Sequence, residues 1–337
     1  MGSKAQELIY NYNKRDDFWL WEYVIMPNHI HLLISPKKKN LSECMRNLKR
    51  TISEEIKKKP EPVGQGYPCP TGSSIWQSSF QDIIVRNEGQ LENFRNYIFQ
   101  NPVKADLASA PEEYPFSSIG KETDRHRLSV GMQFPDHNPA ILIGTSNVGK
   151  IQEISESLRN LPVEMVTPLD LPYIEETPIE TENTFAKNAL QKARFYFERS
   201  GLPTLADDSG IIVEALQKEL GIHTRRWGAG PEASDQEWIE YFLNRMKKEK
   251  NKRARFVCVL AYIDAAGKEF FFEGTCDGVI TETLEAKYLP GLPISACFRP
   301  DGFPQVYSAM SVEEKNRISH RGSAVTQFQE FMTLNNG

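Results

Sequence analysis

Asp207 and Asp208 are adjacent carboxylates, preceded by the apolar pair Leu205 and Ala206 and followed by Ser209 and Gly210. At the mouth of a strand, where side chains alternate direction, two such acids can take different tasks. One coordinates a hard divalent cation through oxygen, and the other orients or deprotonates a water. Taken alone the tetrapeptide reads first as a turn, because Asp-Ser-Gly is good turn chemistry. A second group, Gly144-Thr145-Ser146-Asn147-Val148-Gly149-Lys150, falls between an apolar run and a helical pattern. Backbone amides at such a turn, with a helix dipole behind them, form an anion site. The spacing meets most of a Walker A loop, but Ile151 stands where Ser or Thr would hold Mg²⁺. A phosphate-binding turn whose metal is held elsewhere is the better reading.

Three further groups carry chemistry. Glu180 precedes Asn188 and Lys192, which are four apart and share a helix face. The plainer account is an N-cap by Asn183 or Thr184 with a solvated lysine. Lys315, Ser319, His320 and Arg321 offer point-charge and forked donors to phosphate or base oxygens, or simply form a basic helix end. In the first third of the chain, His29 and His31 flank Ile30 on an apparent strand, where residues two apart face the same side. Tyr97 and Asn101, four apart on a helix, expose a phenol and an amide together. That combination suits a tyrosine nucleophile beside a metal-bound phosphate, although each histidine alone is more often core or surface.

Apolar periodicity predicts the elements that hold these residues. Residues 19–34 read as strand, 41–58 as a helix capped by Asn40, and 60–75 as a Pro/Gly loop. A second helix is expected from residue 88 to about 100, ended by Asn101-Pro102. Residues 119–138 are polar and aperiodic, the candidate linker between a domain at 1–118 and another at 139–337. Beyond the linker we expect strand 140–145, helix 150–158, helix 185–200, strand 205–206, helix 235–248 and strands 254–263 and 269–280. Alternating strands and helices imply an α/β layered domain.

With 337 residues, 39% hydrophobic and 25% charged, the chain has the length of two globular domains. It holds no apolar run near the ~20 residues that span a bilayer and no signal-peptide core at its start, so no membrane partner is expected and the cytoplasm is the expected location. The five cysteines (Cys44, Cys69, Cys258, Cys276, Cys297) are scattered and unpaired in pattern, which argues against a disulfide framework or zinc site. Residues 1–127 carry a net charge of +2 and the remainder −7. Arg46, Lys49, Arg50, Lys57 and Lys58 cluster on one predicted helix with Lys59 directly after it, and a basic helix can contact phosphate backbones or form a solvated face.

The four groups between residues 139 and 334 resemble, in order and spacing, the inosine triphosphate pyrophosphatase family, whose members hydrolyse non-standard purine nucleoside triphosphates (ITP, dITP, XTP) to the monophosphate and pyrophosphate. The resemblance implies a mixed-sheet α/β domain, a nucleotide-pool cleansing hydrolase and a homodimer formed through that domain. It implies that Thr145, Ser146, Asn147, Val148, Gly149 and Lys150 bind the triphosphate, and that Glu180 and Asp208 hold Mg²⁺ with Asp207 in support. Asp208 would also accept the proton of the attacking water, Lys150 and Lys192 would stabilise developing charge, and Ser209, Lys315, His320 and Arg321 would contact substrate. Two departures stand out. Ile294 and Ser295 replace the aromatic-Asp pair that faces the base, leaving Ser295 at a base-contact position, and Glu182 replaces a usual glycine. Altered or relaxed base selectivity follows.

Residues 7–118, through Met26-Pro27-Asn28-His29-Ile30-His31, Trp76-Gln77 and Tyr97 to Ala105, resemble the REP-associated tyrosine transposases of the HUH type. The resemblance implies a ferredoxin-like α+β domain in which His29, His31 and Asn101 hold Mg²⁺ or Mn²⁺ and Tyr97 attacks single-stranded DNA. That family begins with another sheet strand, so the domain is expected to be incomplete and nicking disfavoured. Ile83 also replaces a usual polar residue. Three expectations therefore compete: a pyrophosphatase carrying a truncated transposase-like domain, a nicking transposase with an appended nucleotide domain, and a non-catalytic nucleic-acid-binding fusion.

Overall fold

The structure is a computed structural model and describes residues 2–15, 17–58, 76, 80–121, 123–124, 139–216, 220, 227–230 and 232–335. The chain divides into two compact units, Met1–Pro135 and Asp136–Gly337. Most of the expected linker, together with Cys69, Lys59 and nearly all of the 60–75 loop, lies outside the described residues.

The first unit is α+β. Its helices are α1 (Gly2–Lys14), α2 (Leu41–Lys58) and α3 (Glu88–Lys104), and its strands β1 (Phe18–Ile25) and β2 (Ile30–Pro36) form an antiparallel pair. The segment expected to be one strand is thus a hairpin, because Pro27 and Asn28 supply turn chemistry in its middle. Tyr23 and Ile25 of β1 pack with Ile9 of α1 and Leu48 of α2, whereas Trp21, Val24 and Leu33 pack with Leu91 and Ile98 of α3. Strand β1 is buried almost throughout, so its apolar residues do not alternate with polar ones, and its one charge, the buried Glu22, accepts from Arg95 Nε at 3.1 Å and from Ser118 Oγ at 2.7 Å. Asn40 caps α2 by accepting from the Glu43 amide at 2.9 Å, as expected. Helix α3 continues through Asn101 and Pro102, where the sequence predicted its end. A proline in the last turn removes one donor, but the Ala105 amide still closes that turn on the Asn101 carbonyl at 3.1 Å.

The second unit is a six-stranded mixed sheet flanked by helices. Its strands are β3 (Ala140–Ile143), β4 (Glu164–Val166), β5 (Thr204–Val213), β6 (Arg253–Ile263), β7 (Glu269–Ile280) and β8 (Phe298–Pro300), in the order β4-β3-β5-β6-β7-β8. Strand β3 runs parallel to β4 and β5, and the other pairs are antiparallel. Helices α4 (Val148–Leu158), α5 (Phe185–Ser200), α6 (Asp235–Met246), α7 (Val312–Ile318) and α8 (His320–Asn335) cover it. Ala189 and Ala193 of α5 pack on Ala206 and Ala261, small residues that bring this helix close to β5 and β6. Phe328 and Met332 of α8 join Ile143, Leu205, Cys258 and Phe272 in a separate core cluster. Strand β5 is ten residues long and carries both aspartates in its interior, with Asp207 opposite Leu260 and Asp208 opposite Val259. The acids therefore sit at neither a strand mouth nor a turn. Among the described residues no helix is long and apolar enough to cross a membrane.

Candidate active site

Chain alternation sends the two aspartates to different partners. Asp208 Oδ1 accepts from Lys192 Nζ of α5 at 3.0 Å, and the same ammonium reaches Glu180 Oε1 at 2.9 Å. Asp207 is 0% exposed, with Lys150 Nζ 3.0 Å from its Oδ2. Ser209 Oγ donates to that oxygen at 3.1 Å and accepts from Arg321 Nη2 at 2.9 Å. Burial pushes the Asp207 carboxyl upward, but Lys150, Arg321 and Lys192 outweigh it and hold Asp207 below the ordinary range. For Asp208 burial dominates and, with Glu180 nearby, raises the carboxyl against the pull of Lys192 and Lys150. Lys192 is buried too, yet Asp208, Asp207 and Glu180 overcome desolvation and keep it protonated.

The turn after β3 is built for a close approach. Asn147 caps α4, its Oδ1 accepting from the Lys150 amide at 3.1 Å while its Nδ2 donates to the Gly291 carbonyl at 3.4 Å. Gly291 has a φ of 79°, and a Cβ there would lie 2.5 Å from Asn147 Nδ2, so only glycine serves on both counts. Its amide donates to Asp235 Oδ2, the first residue of α6, at 2.5 Å. Thr145 Oγ1 accepts from the Asn147 amide at 3.2 Å, tightening the turn.

These pieces line one cavity of about 450 Å³, walled by Thr145, Ser146, Asn147, Lys150, Glu180, Lys192, Asp208, Ser209, Ser295, Lys315, His320 and Arg321. Three residues of the expected set do not line it: Asp207 lies buried beneath, Val148 is 60% exposed, and Gly149 packs against Pro290 and Leu292. Asp207 thus anchors Lys150 and Arg321 instead of facing a ligand. The expected aromatic-for-base position holds Ile294, which is buried, and Ser295, whose hydroxyl donates to the Leu292 carbonyl at 2.6 Å. Sequence reasoning missed Glu153, Trp238, Phe256 and Tyr307, all of which line the cavity. Glu153 lies one helical turn beyond Lys150, and that i,i+3 spacing was the available signal. Its two carboxylate oxygens take the Lys315 ammonium and the Arg321 guanidinium. His320 is held neutral by burial, reinforced by Arg321 and Lys315, and stacks on Phe256 with ring centres 4.5 Å apart.

Glu180 and Asp208 already share one cation, and Asp208 Oδ2 is buried without a hydrogen-bond partner. Two carboxylates with an unused oxygen suit a hard divalent ion. No group of three or more His, Cys, Asp or Glu gathers among the described residues, so oxygens from substrate or water must complete such a shell.

The first unit brings its expected residues together as well. His29 lies just before β2 and His31 on it, with ring centres 4.7 Å apart. The Tyr97 ring is 5.2 Å from that of His31, and Asn101 Nδ2 is 3.4 Å from His31 Nε2. Burial lowers both imidazoles, His31 to about 4 with help from His29, which leaves them neutral as metal ligation needs.

A mixed-sheet α/β unit with a cation-lined cavity at a helix N-terminus defines a class of anion-handling proteins. The chain belongs to the Ham1 family, whose model matches residues 141–331. Residues 1–101 match the model for IS200-like transposases, ending before residues 102–118 of the expected resemblance. The chain is 35% identical over 192 residues to a dITP/XTP pyrophosphatase of Leptospira interrogans, covering 57% of this chain and 96% of that protein. It is 36% identical over 194 residues to the dITP/XTP pyrophosphatase of Aquifex aeolicus, covering 55% and 92%. The Staphylococcus aureus Ham1 protein is similar in structure, with a TM-score of 0.51 at 29% identity over 58% of this chain and 99% of that one.

Proposed function

We propose that the second unit hydrolyses non-standard purine nucleoside triphosphates (ITP, dITP, XTP) to the monophosphate and pyrophosphate, with Mg²⁺ as cofactor. The observation that carries this reading is the Asp208 carboxylate, one oxygen on Lys192 and the other unpaired, in a cavity walled also by Lys150, Lys315 and Arg321. The relatives named as dITP/XTP pyrophosphatases support it. Glu180 and Asp208 would hold Mg²⁺, which supplies charge neutralisation at the phosphates. The amides and side chains of Thr145 to Asn147 receive phosphate oxygens at the N-terminus of α4. Asp208 takes the proton of the water that attacks the α-phosphorus, and pyrophosphate leaves. Lys150 and Lys192 oppose the charge that builds on the bridging and leaving oxygens. Asp207 keeps Lys150 and Arg321 aimed.

Pyrophosphate release from ITP, dITP, XTP and GTP by the full chain tests the reading. Asp208→Asn is expected to lower kcat by about 10²–10⁴-fold, and chelation of the divalent ion to stop release. Full activity in Asp208→Asn would sink it. Because Ile294 and Ser295 leave no carboxylate at the base position, selectivity among the oxopurines is relaxed. A strong preference for ITP and XTP over GTP would count against that part.

A second reading rests on the His29, His31, Tyr97 and Asn101 cluster. We infer that Tyr97 attacks a phosphodiester of single-stranded DNA, forming a phosphotyrosine bond and releasing a hydroxyl end, with a divalent ion held by the two histidines and Asn101. Incubation with hairpin DNA and Mn²⁺ is expected to leave DNA attached to the wild-type chain and none to Tyr97→Phe. Neither activity in either assay would favour a non-catalytic fusion.

A further inference from the structure

Glu180, one of the two carboxylates on Lys192, sits in a stretch, residues 174–182, that belongs to no helix or strand. Residues 177–180 of that stretch form part of the cavity wall. Such a segment has no regular backbone ladder of its own to hold a side chain in place, and helix α5 holds it residue by residue instead. Asn188 Oδ1 accepts from the Glu182 amide at 3.0 Å. Gln191 Oε1 accepts from the Thr181 amide at 3.3 Å, and its Nε2 donates to Thr181 Oγ1 at 3.1 Å. Lys192 Nζ donates to Glu180 itself at 2.9 Å.

These contacts differ in what they leave free. Lys192 engages Glu180 Oε1 and Asp208 Oδ1 together, so a divalent ion drawn to those oxygens competes with the ammonium for them. The Asn188 and Gln191 contacts go to backbone amides and a hydroxyl, and leave both Glu180 oxygens available. Asn188 is buried, whereas Gln191 is half-buried. The packing of α5 on β5 and β6 is made by Ala189 and Ala193, not by Gln191.

We propose that Gln191 is a positioning residue for the divalent ion: by holding Thr181 through both its amide and its hydroxyl, it keeps the Glu180 carboxylate beside Asp208. The inference rests on the pyrophosphatase reading and deepens it. A carboxylate held in advance loses less freedom when the ion binds, so the ion binds more tightly.

The test is a calorimetric titration of Mn²⁺ into the 337-residue chain carrying His31→Ala, which removes a ligand of the other candidate metal cluster. Binding that Asp208→Asn abolishes belongs to the Glu180 and Asp208 site. In that parent, Gln191→Met is expected to weaken this binding by about three- to ten-fold. Thr181→Val should weaken it less, and the double variant no more than Gln191→Met alone, because both act through one contact. Thr181→Ser keeps the hydroxyl and should bind like the parent, and the melting temperature of Gln191→Met without metal should not change. Binding by Gln191→Met within about two-fold of the parent, losses that add in the double variant, failure of Thr181→Ser to bind like the parent, or a melting temperature that falls with the affinity overturns the proposal and leaves the pyrophosphatase reading standing. Mn²⁺ binding that Asp208→Asn does not reduce, together with no pyrophosphate release from ITP, overturns that reading and this inference with it.

Discussion

Glu153 belongs to no recognised motif, yet its carboxylate holds Lys315 of α7 with one oxygen and Arg321 of α8 with the other. Burial pushes this carboxyl up, and Arg321 and Lys315 more than compensate, so Glu153 titrates below its ordinary value of 4.5. Removing one partner from a buried ion cluster strands the others, so Glu153→Ala should cost about 3–5 kcal/mol of stability in urea unfolding. A depressed carboxyl contributes stability that is fully present above the unfolded pKa and lost as pH falls through the folded one. The stability gap between wild type and Glu153→Gln should accordingly be widest above pH 4.5 and shrink on further acidification. A pH-independent gap would show that Glu153 acts through packing alone. Asp208, Glu180 and Lys192 were legible in the sequence only through the resemblance of four groups in order and spacing, since alone they read as a turn and a capped helix with a solvated lysine. Trp238 was not, since a tryptophan on an apolar helix face reads as core, and its place in the cavity wall is visible only in three dimensions.

The elements that aim these side chains depend on close backbone approaches. Helix α8 begins directly over β7: a Cβ on Gly274 would lie 2.0 Å from the His320 carbonyl oxygen and 2.8 Å from the Ala324 nitrogen. Both obstacles are backbone, so a rotamer change cannot relieve them. Gly274→Ala should shift the start of α8, carrying His320 and Arg321 with it, and destabilise the fold by about 1–3 kcal/mol or more. Its KM for nucleotide should rise more than its kcat falls, because residues on α4, α5 and β5 keep their places. A variant with wild-type KM would show that the helix start absorbs the methyl group without moving. The long amphipathic helices were readable from their period, α5 and α2 to the residue, and so was the β7 run. Helix α1 was missed because Tyr10, Asn11, Tyr12 and Asn13 have low helix propensity; Leu8, Ile9 and Tyr12 are held by tertiary packing. The interior placement of Asp207 and Asp208 was missed because a strand pattern is normally broken by two charges. Here Lys150 and Lys192 neutralise them from different helices.

At the level of the whole chain, each unit has its own hydrophobic core and its own cluster of reactive side chains. Ile9, Leu48 and Trp21 belong to clusters of the first unit, and Ile143, Phe328 and Trp238 to clusters of the second. Substitutions without shared partners contribute independently. In the 337-residue chain, Asp208→Asn should therefore lower pyrophosphate release by the same factor of about 10²–10⁴ and leave attachment of DNA to Tyr97 unchanged, while Tyr97→Phe should stop that attachment and leave pyrophosphate release unchanged. The double variant should lose both activities, each by the factor seen in its single variant. This expectation follows from the chemistry as well as from the cores, since one site handles an anhydride beside carboxylates and lysines, and the other a phosphodiester beside imidazoles and a phenol. Loss of pyrophosphate release in Tyr97→Phe, with ITP saturating and the chain still folded by circular dichroism, would instead establish that the first unit contributes to turnover by the second.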